Sequence, residues 1–166
     1  ASEHKYRVAV AGLQQRLGPS HPRTISARLN LAELFHAMHQ YDKSISELRE
    51  TIAVVKKFRP DDAAMEARCK SCLGEALLTA GQANEALPML TESSSTLRRL
   101  QGDDHPHTLQ SRLNLGRALL ASHRDAKAIE HLRAVHAGYS RRLGVKHPKT
   151  QAVQDELSRL TGASKK

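Results

Sequence analysis

Cysteine and histidine are the side chains here best suited to metal or redox chemistry, and their spacing argues against both. The two cysteines, Cys69 and Cys72, form one C-x-x-C. With no second pair and no βαβ pattern around it, that motif is weak as a zinc or redox site. On a helix, residues three apart share a face, so the pair reads as two free thiols packing as small apolar groups rather than as a disulfide framework. The ten histidines run from His4 to His147, and none falls in H-E-x-x-H or another ligand spacing. His36 and His39 share a helix face without a third ligand. No Walker loop, no G-x-S-x-G and no paired carboxylates beside a base occur. The expectation is a chain that is not an enzyme and holds no cofactor or metal.

Charge is the second source of chemistry. The net charge of +9 suits a polyanion or an acidic protein, because a basic field attracts both. Two ladders of cations recur along the chain: Arg28, Lys70 and Arg112, and Lys57, Arg99 and Arg141. They are candidates for a basic ridge contacting nucleic acid. The second ladder has a plainer reading, since its members fall at predicted helix C-termini, where cations complement the macrodipole by about 0.3–1 kcal/mol each. Aromatic residues are limited to Tyr6, Phe35, Tyr41, Phe58 and Tyr139, which disfavours a stacking platform for single strands.

The elements that position these residues follow from an internal repeat. His21-Pro22-Arg23-Thr24 returns as His105-Pro106-His107-Thr108 and as His147-Pro148-Lys149-Thr150, on a 42-residue period. The copy expected near Ala63 has lost its His-Pro, yet the framework stays in register. Leu31, Leu73, Leu115 and Leu157 share a column, followed by the small residues Ala32, Gly74 and Gly116 and then by Phe35, Leu77 and Leu119. Further columns hold Ser44, Ala86 and Ala128; Ile45, Leu87 and Ile129; Leu48, Leu90 and Leu132; and Val55, Leu97 and Tyr139. Spacings of i, i+3, i+4 and i+7 make each repeat a pair of amphipathic helices. Proline in each His-Pro-x-Thr suits the first helical position, where its missing N–H costs nothing. The turns at His39-Gln40, Gly81-Gln82 and His123-Arg124 reverse the chain inside each repeat.

In register, the sequence predicts a lone helix at about 4–17, repeats at about 18–59, 60–101 and 102–143 with hairpins at 22–58, 64–100 and 106–142, and a capping helix at 148–160. Residues 161–166 read as a disordered tail. The first helix aligns with the second helix of a repeat, since Tyr6, Val10 and Leu13 match Leu48, Ile52 and Val55. Its partner is missing, as in a segment cut from a longer chain.

A large residue, a small one, another large one a turn later and an alanine starting the second helix together resemble the tetratricopeptide repeat. The period and the run Leu17-Gly18-Pro19-Ser20-His21-Pro22-Arg23-Thr24, with Arg28-Leu29-Asn30-Leu31-Ala32, resemble the kinesin light chain subtype. The second repeat departs from it, with Cys72 in the place of Asn30 and Asn114. The resemblance implies an all-α, right-handed α-solenoid of stacked antiparallel helix hairpins over residues 1–160, whose first helices line a concave groove.

It also implies which columns face that groove: Ser26, Arg68 and Gln110; Asn30, Cys72 and Asn114; Glu33, Glu75 and Arg117; and Ala37, Thr79 and Ala121. Asparagine can donate and accept, so Asn30 and Asn114 suit the backbone amides of an extended peptide, or else bond within their own helices. Arg68 and Arg117 favour a carboxylate that Glu33 and Glu75 oppose. The expected role is a cytoplasmic scaffold for a protein or peptide partner. Nucleic acid on the basic ladders and self-association through the terminal helices are the alternatives. No stretch is apolar enough to cross a membrane.

Overall fold

The computed structural model describes residues 2–162, and of the expected disordered tail residues 163–166 lie outside that range. The described residues form eight α-helices and no strand: α1 (Ser2–Leu17), α2 (Pro22–Ala37), α3 (Tyr41–Phe58), α4 (Ala63–Thr79), α5 (Ala83–Gln101), α6 (Pro106–Ala121), α7 (Asp125–Leu143) and α8 (Pro148–Leu160). The chain divides into two compact units, residues 1–82 and 83–166.

Helix starts follow the His-Pro-x-Thr motif, and the histidine does more than precede the proline. His21, His105 and His147 are N-caps whose Nδ1 atoms accept from the backbone N–H of Arg23, His107 and Lys149, each at 3.2 Å. One otherwise orphaned donor is thereby satisfied at each start. The threonines are fully buried, and Thr150 donates from Oγ1 to the carbonyl of Gly144 at 2.9 Å, tying the helix start to the preceding turn. Where the second repeat lacks His-Pro, Asp62 caps α4 instead: Oδ1 accepts from the Met65 N–H at 3.0 Å while Oδ2 accepts from Arg59 at 2.7 Å.

The turns inside the repeats share one backbone solution. His39, Gly81 and His123 occupy a single column, with φ of 58°, 79° and 57°. This is the left-handed region, and two repeats tolerate it at a β-carbon-bearing residue. Pro88 sits inside α5 on its exposed side, and the helix continues through it.

In unit 1, α1 packs on α2, α2 on α3, and α4 on both α2 and α3. Val10 joins Leu31 and Phe35 in a core between α1 and α2, whereas Tyr6 is exposed. In unit 2, α6 lies between α5 and α7, and α7 carries α8. Leu109, Leu113, Leu132, Val135, Tyr139, Val153 and Leu157 form its core. Gly138 permits the closest approach, because a β-carbon there would stand 2.4 Å from Cδ2 of Leu109.

Candidate functional site

The residues expected on the groove face occupy single stripes along the first helices. On α2 the stripe is Ser26, Asn30, Glu33 and Ala37; Ser26 is half-buried and the others are exposed. On α4, Arg68, Cys72 and Glu75 are half-buried and Thr79 is exposed. The two helices lie side by side, and His36 Nε2 meets Thr79 Oγ1 across them at 3.0 Å. The charges converge on one thiol. Burial pushes Cys72 up to about 12, with Glu75 and Glu33 adding to the rise and Arg68 opposing it. Cys69 is buried and is also pushed up to about 12, chiefly by burial. Thiols so far from their thiolate form are poor nucleophiles and poor metal ligands. Unit 1 therefore presents a polar patch of mixed sign built from Asn30, Glu33, Arg68, Cys72 and Glu75.

Unit 2 treats the same columns differently. Asn114, in the column of exposed Asn30, is only 1% exposed, and its Oδ1 accepts from Gln110 Nε2 at 3.2 Å within the helix. Its amide is enclosed rather than offered to a ligand. Arg117 already holds a carboxylate: Nη2 donates to Oε2 of Glu156 on α8 at 3.0 Å, and Nε lies 3.3 and 3.4 Å from its two oxygens. Glu156 itself stands one period after Asn114, so the last repeat places an acid where the others place asparagine or cysteine.

The basic ladder of Arg28, Lys70 and Arg112 is not a solvent-facing ridge. Arg28 is 8% exposed, with Nε donating to Glu47 at 2.5 Å and Nη2 to Glu50 at 3.0 Å. Lys70 pairs with Glu66 at 2.7 Å, and Arg112 with Asp103 at 2.7 Å. Each long side chain is largely withdrawn from water and ends at a carboxylate. In the other ladder Lys57 sits over the ring of Phe58 at 5.1 Å, Arg99 is exposed, and Arg141 is bound to Asp104 through two donors. The Arg141 hydrogen bond holds the Asp104 carboxyl below its usual range. The acids that neutralise these cations, Glu47, Glu50 and Asp104, carry no motif. They are far from their partners in sequence, and only a guess at helix pairing could have found them.

Among the described residues no three His, Cys, Asp or Glu side chains are grouped as a metal site requires, and no helix is long and apolar enough to cross a membrane. Paired helices on a fixed step, two of the three pairs opened by the same His-Pro capping device and the other by Asp62, resemble the helical repeats of tetratricopeptide type. Residues 66–141 match the tetratricopeptide repeat family model. Two crystal structures of a Podosopora anserina protein described as a kinesin light chain with nearly identical TPR-like repeats, one a single-residue variant, are 26% and 25% identical to this chain. Their TM-scores are 0.73 and 0.72, and the matches cover 97% of this chain and 76% of theirs. BtubC (BKLC) from P. vanneervenii shares the fold with a TM-score of 0.80 at 15% identity, over 97% of this chain and 65% of that one. No curated protein matches the chain. Residues 66–141 thus carry the match to tetratricopeptide repeats, and the α-solenoid fold is similar to that of solved kinesin light chain-like repeat proteins; repeats of this type generally mediate protein–protein interaction.

Proposed function

We propose that this chain is a cytoplasmic scaffold that holds a segment of a partner protein against the exposed faces of its first helices, and that it performs no catalysis. The observation that carries this reading is the α2/α4 face of unit 1. There Asn30 and Glu33 are exposed beside Arg68 and Glu75, on two helices whose cores are completed elsewhere. The Asn30 amide offers one donor pair and one acceptor to a peptide backbone, and Arg68 with Glu33 can select its side chains by sign. In unit 2 the corresponding contacts come from Gln110 and from the Arg117–Glu156 pair rather than from Asn114. Nucleic acid is the weaker alternative, because the cations of the first ladder are already bound by carboxylates.

The test compares the native chain with an Asn30→Ala, Arg68→Glu variant in quantitative capture from source-cell lysate, each with and without nuclease and each checked for helicity. A protein recovered by the native chain alone, and indifferent to nuclease, supports the reading. Equal recovery by both chains, abolished by nuclease, overturns it and points to the remaining exposed cations.

A further inference from the structure

The first and third repeats carry an arginine at the same position, Arg28 and Arg112, and surround it differently. Around Arg28, α3 supplies two carboxylates: Glu47 takes Nε and Glu50 takes Nη2. Two periods later, α7 carries His131 in the place of Glu47 and Ala134 in the place of Glu50. Both negative charges are gone. In their place is a cleft walled by Ala134 and Ala137 and ringed by Arg98, Arg112 and Arg141 together with Asp103 and Asp104.

The internal acids meet only part of this demand. Asp103 accepts from Arg112 Nη1 at 2.7 Å and lies 3.8 Å from Arg98, while Asp104 takes Arg141. Nε of Arg112, the atom whose counterpart in the first repeat donates to Glu47, is buried with no hydrogen-bond partner among the described residues, and so is Nδ1 of His131. Buried donors on charged groups are rarely left unmade. Burial and the charges of Arg112 and Arg98, against Glu130, hold the His131 imidazole below its ordinary range. Burial contributes most to this lowering, and the two arginines add to it.

We propose that this cleft binds a phosphate group, as the free ion or as a phosphomonoester on a partner, with Arg98, Arg112 and Arg141 as its cationic ligands and His131, outside the lining but coupled to Arg112 and Arg98, as the group that responds to it. A phosphate dianion carries in one group about the two negative charges that Glu47 and Glu50 bring to Arg28, with several acceptor oxygens. Planar guanidinium forks match its geometry. Asp103 is 61% exposed on its side chain and can turn to solvent as the ligand takes its place on Arg112. The three arginines outnumber the two aspartates by one charge, so a bound dianion leaves the cleft with one net negative charge and favours proton uptake by the nearby His131. The cleft shares no residue with the α2/α4 face, and its failure leaves the scaffold reading standing.

The experiment titrates inorganic phosphate, and separately N-acetyl-phosphoserine amide, into the chain at constant ionic strength in chloride, following the His131 ring resonances and phosphorus line width by NMR. Both probes are expected to give a saturable shift and a raised His131 pKa. A His131→Glu, Ala134→Glu variant, which copies the acids of the first repeat, should bind at least tenfold more weakly while melting no lower than the parent. Arg141→Gln, a change at an exposed side chain, should weaken binding several-fold by the phosphorus readout. Phosphoserine binding tenfold tighter than phosphate would identify a phosphorylated partner, and equal affinity the free ion. No saturable shift, or unchanged affinity in either variant, overturns the proposal.

Discussion

Glu47→Ala tests the account of the buried cation most directly. The Arg28 side chain is 9% exposed and Glu47 17%, so the pair is nearly removed from water, whereas Glu50 is 65% exposed. Truncating Glu47 strands Nε of a charged group and leaves Glu50 on Nη2. Breaking a fully buried pair costs about 3–5 kcal/mol, and a hydrogen bond to a charged group contributes about 1.5–3 kcal/mol. The retained Glu50 and the partial access of water place the loss near the lower figure, about 2 kcal/mol. For a chain of this size each kcal/mol moves Tm by roughly 2–4 °C, so the melting curve should fall by roughly 4–8 °C. The assay is thermal and urea unfolding by circular dichroism, in a double-mutant cycle with Arg28→Met. With methionine at position 28 the Glu47 carboxylate has already lost its partner, so Glu47→Ala strands no further charge and should then cost less than about 0.5 kcal/mol. A full cost in the Arg28→Met background, or no cost in the native one, would refute the argument that the carboxylate matters through the arginine.

Gly138→Ala places a β-carbon 2.4 Å from Leu109 and should destabilise by about 1–2 kcal/mol, overpacking outweighing the gain in helix propensity. Gly12→Ala, with nothing within 4 Å, should instead stabilise by about 0.5–1 kcal/mol; equal effects at the two sites in chemical denaturation would contradict the packing described. His105→Ala should cost about 1 kcal/mol and His105→Asn much less, since asparagine is a good N-cap; identical melting points would show that the imidazole does not cap α6. Cys69 and Cys72, each pushed up to about 12, should react with a disulfide reagent at pH 8 far more slowly than the thiols of the urea-unfolded chain. Labelling at comparable rates would mean that neither thiol is held in its neutral form.

What the sequence determined by itself is the repeat and its local chemistry. Helix starts at Pro22, Pro106 and Pro148, glycines after Leu17, Gln101 and Leu143, and columns such as Leu31, Leu73, Leu115 and Leu157 are local or periodic signals. Every member of that last column is buried. They are legible because amphipathic spacing and capping act within a few residues. The capping use of histidine is not legible in the sequence, because imidazole is not among the usual N-cap side chains.

The environment of each polar column was decided by tertiary structure alone. Asn30 and Asn114 have the same place in the repeat, yet one is exposed and the other enclosed. Arg28 and Arg112 likewise share a column, yet one is met by two glutamates and the other opens onto a cleft. Equivalent positions diverge because burial and charge pairing depend on side chains contributed by neighbouring helices, here Glu47 and Glu50 against His131 and Ala134. Those helices come into contact only once the chain has folded.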